Sequence, residues 1–298
     1  MKTLILNASN VAQGSFNSKF IYNFPQGGFE FKDDYIAVQE LAMYFSAFNI
    51  TSNYNNFKFS YIWIDGTQVD IVIPDSFLQV TGLNEFMQYK MIENGHYLLD
   101  SAGNYVYLLE MLVNQARYAV QVNNYLISTT IATTNTWTLP ASATWVLPTN
   151  PILPYLVVPS NNNFGDLIGF APGQYPAGTI TGVPPAQVQT PAFTSAQSEL
   201  SSKAPQITPY SSFLVYCSLV NNRAVIPNQL IFSFTPTDST FGALQSFKPN
   251  AELGWNKVED GTYTQFSVEF RDQLGRPAYF QDPNTLITLL TKNKYEGN

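Results

Sequence analysis

In the stretch Thr264-Gln265-Phe266-Ser267-Val268-Glu269-Phe270-Arg271, apolar and polar side chains alternate from residue to residue. Successive side chains of a strand point to opposite faces. Thr264, Phe266, Val268 and Phe270 therefore share one face, and Gln265, Ser267, Glu269 and Arg271 the other. Such a strand has one side on a core and one side outward, as in antiparallel sheets. Phe213, Val215, Cys217 and Leu219 make a similar row.

The same period extends through the chain. Phe57, Phe59, Tyr61 and Trp63 form an aromatic row that runs into Asp65-Gly66, after which Val69, Ile71 and Ile73 alternate. Asp-Gly between alternating runs predicts a hairpin with a tight primed turn. Tyr97–Leu99 and Tyr105–Val113 flank Asp100-Ser101-Ala102-Gly103-Asn104, a second hairpin, and Tyr118, Val120 and Val122 continue the meander. Further strands are expected at Phe20–Phe24, Phe29–Phe31, Ile36–Ile50, Tyr155–Val158, Leu230–Phe234 and Leu286–Leu290. One helix is expected, capped by Thr81, striped by Leu83, Phe86, Met87 and Met91, and stopped at Asn94-Gly95. Many short strands and almost no helix indicate an all-β sandwich, barrel or jelly roll.

From Ser128 to Pro209 the chain is rich in Pro, Thr, Ser, Gly and Ala. Proline cannot donate to a strand ladder, so this stretch reads as an insertion or a long loop excursion. The expected division is residues 1–127 and 210–298 for the β domain, with 128–209 inserted.

Charged residues make up 12% of the chain, about half the usual share of about 25%. With 45% hydrophobic and 15% aromatic residues the chain is no disordered polymer. A surface poor in charge is what interface cores look like. The net charge is −7 and no Lys/Arg cluster stands out, which argues against direct contact with nucleic acid. Cys217, the single cysteine, cannot close an internal disulfide and reads as a small core hydrophobe. Met1–Asn7 has too short an apolar run for a signal peptide, and no stretch reads as a bilayer span. Folding in a reducing, cytoplasm-like compartment is expected. Asn7-Ala8-Ser9 and Asn49-Ile50-Thr51 match a glycosylation pattern that has no meaning without export.

Several strings, in order, carry a resemblance. They include Phe20-Ile21-Tyr22-Asn23-Phe24-Pro25, Tyr44-Phe45-Ser46-Ala47-Phe48-Asn49-Ile50 and Gly95-His96-Tyr97-Leu98. Asn163-Phe164-Gly165-Asp166-Leu167-Ile168-Gly169-Phe170, Gly173-Gln174-Tyr175-Pro176, Cys217-Ser218-Leu219-Val220-Asn221-Asn222 and Asp282-Pro283-Asn284 follow. Together they resemble the minor capsid (penton) proteins of virophages and Polinton-like (Maverick) viruses. The resemblance implies a single jelly roll with an inserted or appended domain. It also implies a homopentamer at icosahedral vertices, beside a double-jelly-roll major capsid protein, in a virion assembled in the host cytoplasm or a viral factory. It carries no catalytic, cofactor or metal residues to transfer.

A few residues have side chains that could carry chemistry. His96 is the only histidine and any His-dependent triad would use it. Its place after the helix stop favours a structural role. Glu110 shares an expected face with Val106, Leu108 and Leu112, where a raised pKa would suit an acid catalyst. Glu40 and Asp70 are its candidate partners in a glycosidase pair; the preferred reading is that Glu110 pairs with a polar group or lies at a subunit contact. Asn163–Asp166 and Asp33-Asp34 lack the alternating ligands of a calcium loop. Gly165, Gly169 and Gly173 do not follow a phosphate pattern. No catalytic, cofactor or metal residue is expected. The alternative function is a carbohydrate-binding β-sandwich or fibre-head module, with the aromatics as sugar platforms.

Overall fold

The computed structural model describes residues 1–207, 210–222, 228–238, 240–250 and 254–295 of the 298-residue chain. The chain forms two compact units, Met1–Phe48 with Thr208–Asn298, and Asn49–Ile207.

The first unit holds eight principal strands. They are β1 (Lys2–Leu6), β2 (Lys19–Asn23), β3 (Asp34–Tyr44), β4 (Phe213–Cys217), β5 (Leu230–Phe234), β6 (Leu244–Phe247), β7 (Gln265–Asp272) and β8 (Leu286–Asn293). One sheet runs in the order β1-β8-β3-β6 and the other β5-β4-β7-β2, with every pairing antiparallel. Strands β1 and β8, β2 and β7, β3 and β6, and β4 and β5 are neighbours. That is one long hairpin rolled into two facing four-stranded sheets, a jelly roll.

The alternation in β7 produces this packing directly. Phe266, Val268 and Phe270 are buried, whereas Gln265, Ser267, Glu269 and Arg271 face outward. Phe270 meets Phe280 and Phe20 edge-on at 5.7 and 6.0 Å. Phe213, on the neighbouring strand β4 of the same sheet, lies 5.4 Å from both Phe234 and Phe280. Each fully buried Phe contributes roughly 1.5–3 kcal/mol relative to exposure. In β3 the phase slips at a bulge where Glu40 pairs Thr288 but Val38 pairs Leu289, leaving Gln39 unpaired and exposed. The expected strand Ile36–Ile50 stops at Tyr44.

The second unit is inserted between β3 and β4. Strands Lys58–Ile62 and Gln68–Val72 form the expected hairpin. Its turn is not primed. The Gly66 amide donates to the Trp63 carbonyl and the Trp63 amide to Thr67, with positive φ at Gly66 but not at Asp65. This is the three-residue turn in which a single left-handed residue suffices. Asp100–Asn104 closes the second hairpin the same way, with Gly103 left-handed. Helix α1 (Val80–Glu93) buries Val80, Leu83, Met87 and Met91 and ends at Asn94 and a left-handed Gly95. Its N-cap is Gln79; the expected cap, Thr81, lies inside the first turn.

The expected boundary at 127/128 is corrected. Strand Tyr155–Val158 pairs with Lys58–Ile62, and Gln197–Leu200 pairs with Ala119–Asn124. The Pro-rich stretch is thus half of the inserted unit, and residues 49–127 are the other half. Alternation marks strands but not the sheet each joins, so the sequence assigned 49–127 to the wrong unit. Residues 208–209, the end of the expected insertion, lie outside the described residues. Two short helices were also unforeseen, Thr129–Thr134 and Phe164–Ile168.

Candidate functional site

The residues weighed for chemistry are each engaged in structure. His96 is buried, with its ring stacked on Trp63 at 4.9 Å and 5° and its Nδ1 hydrogen-bonded to the Tyr61 hydroxyl at 2.9 Å. Trp145 packs edge-on against Trp63, and its indole N–H donates to the Gly95 carbonyl at 2.7 Å. Burial pushes His96 down to about 4, against a smaller opposing pull from Asp65. Burial also drives the Tyr61 hydroxyl upward. The helix stop thus positions the imidazole as a neutral core group.

Glu110 does not share a face with Leu108. The expected strand Tyr105–Val113 is broken into Tyr105–Val106 and Leu109–Asn114, and the break resets the alternation. Leu109 and Met111 point inward; Glu110 points out beside an exposed Leu112 and accepts from the Tyr125 hydroxyl at 3.0 Å. Asp70 accepts from Gln68 at 2.8 Å and Ser60 at 2.7 Å, which hold its carboxyl below the usual range. Glu40 faces Lys248 at 3.3 Å. The three carboxylates have separate partners.

Asp33 pairs with Lys257 at 3.1 Å, and the hydrogen bond from that ammonium lowers its pKa. Asp166 lies in the short helix Phe164–Ile168, whose Phe164 stacks on Phe59 at 4.5 Å. Added Cβ atoms at Gly165 and Gly169 would overlap the Phe170 and Lys203 carbonyls, so these glycines serve close backbone packing. Cys217 is buried, its thiol pushed up to about 12 by burial. Among the described residues no three His, Cys, Asp or Glu side chains group as a metal site, and no helix is long and apolar enough to cross a membrane.

What the sequence reading missed lies at one end of the jelly roll. The connections β1–β2, β6 with its approach from β5, and β7–β8 meet there, alongside the end of β3. Phe16, Tyr279, Phe48 and Phe241 form a ladder of near-parallel rings, with centroids 4.2, 5.4 and 6.2 Å apart in that order. The Phe48 amide donates to the Tyr279 carbonyl, and the Gly242 amide to Phe45. These segments are almost uncharged: residues 7–18 carry none, 235–243 only Asp238, and 273–285 only Arg276 and Asp282. The opposite end holds Glu30, Lys32, Asp33, Lys257, Asp260 and Lys292. The four aromatics fall in irregular segments, where no periodicity marks them.

No family model matches the chain, and no curated relative matches it. Among solved structures it is similar to the crystal structure of the mavirus penton protein, with 10% identity and a TM-score of 0.41 over 98% of this chain and 97% of that one. It is also similar to a chain in the cryo-EM structure of the Sputnik virophage, with 9% identity and a TM-score of 0.35 over 99% and 98%. The jelly roll is shown by the strand order of the two facing sheets.

Proposed function

We propose that this chain is a structural virion protein, the penton subunit that closes icosahedral vertices as a homopentamer, and that it is not an enzyme. The observation that carries the reading is the low charge of the chain, 12% of its residues, on a jelly roll of two four-stranded sheets in the order β1-β8-β3-β6 and β5-β4-β7-β2. Jelly rolls serve viral capsids, lectins and cupins alike, so the fold does not choose among them. The low charge favours the first. An acidic chain whose polar surface is mostly amide and hydroxyl can be covered by sister copies without desolvating many ions. Strands β1, β6, β2 and β5 are sheet edges, which packing between subunits protects. The ordered strings quoted above support the same reading and bring with it a double-jelly-roll major capsid protein as neighbour.

Light scattering on purified protein across a concentration series tests this. The reading expects a discrete closed oligomer, and a monomer at every concentration counts against it. A carbohydrate-binding module is the second reading, favoured by Tyr97, Tyr105 and Tyr107 on the second hairpin, where Tyr105 is half exposed and 4.7 Å from Tyr97. Absence of signal on a glycan array removes it.

A further inference from the structure

The nearly uncharged end of the jelly roll presents two unlike patches. The first is the edge of the aromatic ladder, where Phe16 and Phe241 are each 43% exposed. Phe16 is displayed at a cost. It and Asn17 both have positive φ, 51° and 59°, in a turn closed by the Ser18 amide donating to the Ser15 carbonyl. Such a mirror-image turn favours Asn and Gly, and a bulky residue held there marks a position whose use outweighs its strain. The second patch is a groove of about 340 Å³ on the outer face of the first sheet, lined by Ala42, Tyr44, Leu244 and Leu286, with Asn7 and Thr285 beside them. Register places it at the same end, because Leu286 pairs with Ala42 and Leu244 with Tyr44. Leu244 is 60% exposed.

We propose that these patches are the two halves of a heterologous contact between copies of this chain, with the ladder edge of one copy seated in the groove of the next. The proposal rests on the shell-subunit reading. A closed ring needs one patch meeting a different patch on its neighbour. Aromatic enrichment and depletion of charge are the marks of an interface core. The occupant follows from charge. Each copy carries −7, and neither Phe16 and Phe241 nor the residues lining the groove carry a charge at neutral pH, so here a second copy approaches without like charges face to face.

Two experiments on the full chain test it. Phe16→Ser with Phe241→Ser, and separately Leu244→Lys, should raise the concentration needed for assembly at least tenfold while leaving the melting transition in place. Variants that each add one cysteine, Phe16→Cys and Leu244→Cys, mixed under oxidation, should form a disulfide between the two variants, and neither alone should cross-link to itself; buried Cys217 does not compete. The cross-link decides if a serine or lysine variant fails to fold. Oligomers unchanged in all variants, or Phe16→Cys cross-linking to itself, overturns the contact and leaves the shell reading standing. Wild-type protein that stays monomeric overturns both.

Discussion

The Asn49 side-chain amide donates to the Ile207 carbonyl at 2.7 Å, joining the first and last residues of the inserted unit. The same side chain donates to the Leu78 carbonyl at 2.8 Å and accepts from the Leu78 amide at 2.9 Å. It is fully buried, so the glycosylation pattern that begins there is a structural clamp. Asn49→Leu would leave these backbone groups without partners, at about 1–3 kcal/mol for each buried one. The expected loss is roughly 3 kcal/mol from the inserted unit, read as a lowered transition in calorimetry. An unchanged melt would contradict the clamp.

The inserted unit should fold alone. Its core is internal, running from Phe59, Tyr61 and Trp63 through Leu83, Met87 and Met91 to Phe164 and Ile168. Residues 49–207 expressed by themselves should unfold cooperatively in denaturant. Tryptophan emission should be blue-shifted in the native state, since Trp63 and Trp145 are buried. A gradual, non-cooperative loss of that emission would show that the unit depends on the jelly roll.

His96 makes the inserted unit acid-sensitive. In the unfolded chain it takes a proton near pH 6.5, and in the fold only near pH 4. Between these values the unfolded chain binds more protons, so stability falls as the pH drops from about 6.5 toward 4 and does not depend on this group above 6.5. The expected loss is roughly 2–3 kcal/mol. His96→Phe should flatten the melting temperature across that window, and a wild-type profile that is already flat would exclude a buried neutral imidazole.

Two left-handed glycines should respond differently to alanine. At Gly103, with φ 81°, no other atom lies within 4 Å of an added Cβ. Gly103→Ala should cost only the conformational penalty, about 1 kcal/mol. Gly169, with φ 78°, has its carbonyl bonded by the Lys203 amide at 3.0 Å, and a Cβ would strike the Lys203 carbonyl oxygen. Gly169→Ala should cost at least about 2 kcal/mol. Equal denaturation midpoints for the two variants would contradict this packing.

Much of the fold could be read from the residues because burial enforces a local period. Phe266, Val268 and Phe270 showed their faces without any partner in view, as did the stripe of α1, and Asp65-Gly66 marked the place of a turn but not its type. Other features depend on distant segments. Nothing local says that Lys58–Ile62 pairs with Tyr155–Val158 instead of a jelly-roll strand, so the insertion was placed too late in the chain. Glu110 was assigned to the wrong face because the break near Leu108 shifts the alternation by one residue. The aromatic ladder lay beyond reach for the same reason: Phe16, Phe48, Phe241 and Tyr279 come together only when four separate connections converge.

The most direct test of the shell-subunit account is native mass spectrometry of the purified full chain, paired with class averages from electron microscopy. The account expects a dominant species at five times the 33.3 kDa chain mass and rings with fivefold symmetry. A single species at one chain mass at every concentration, without rings, would contradict it.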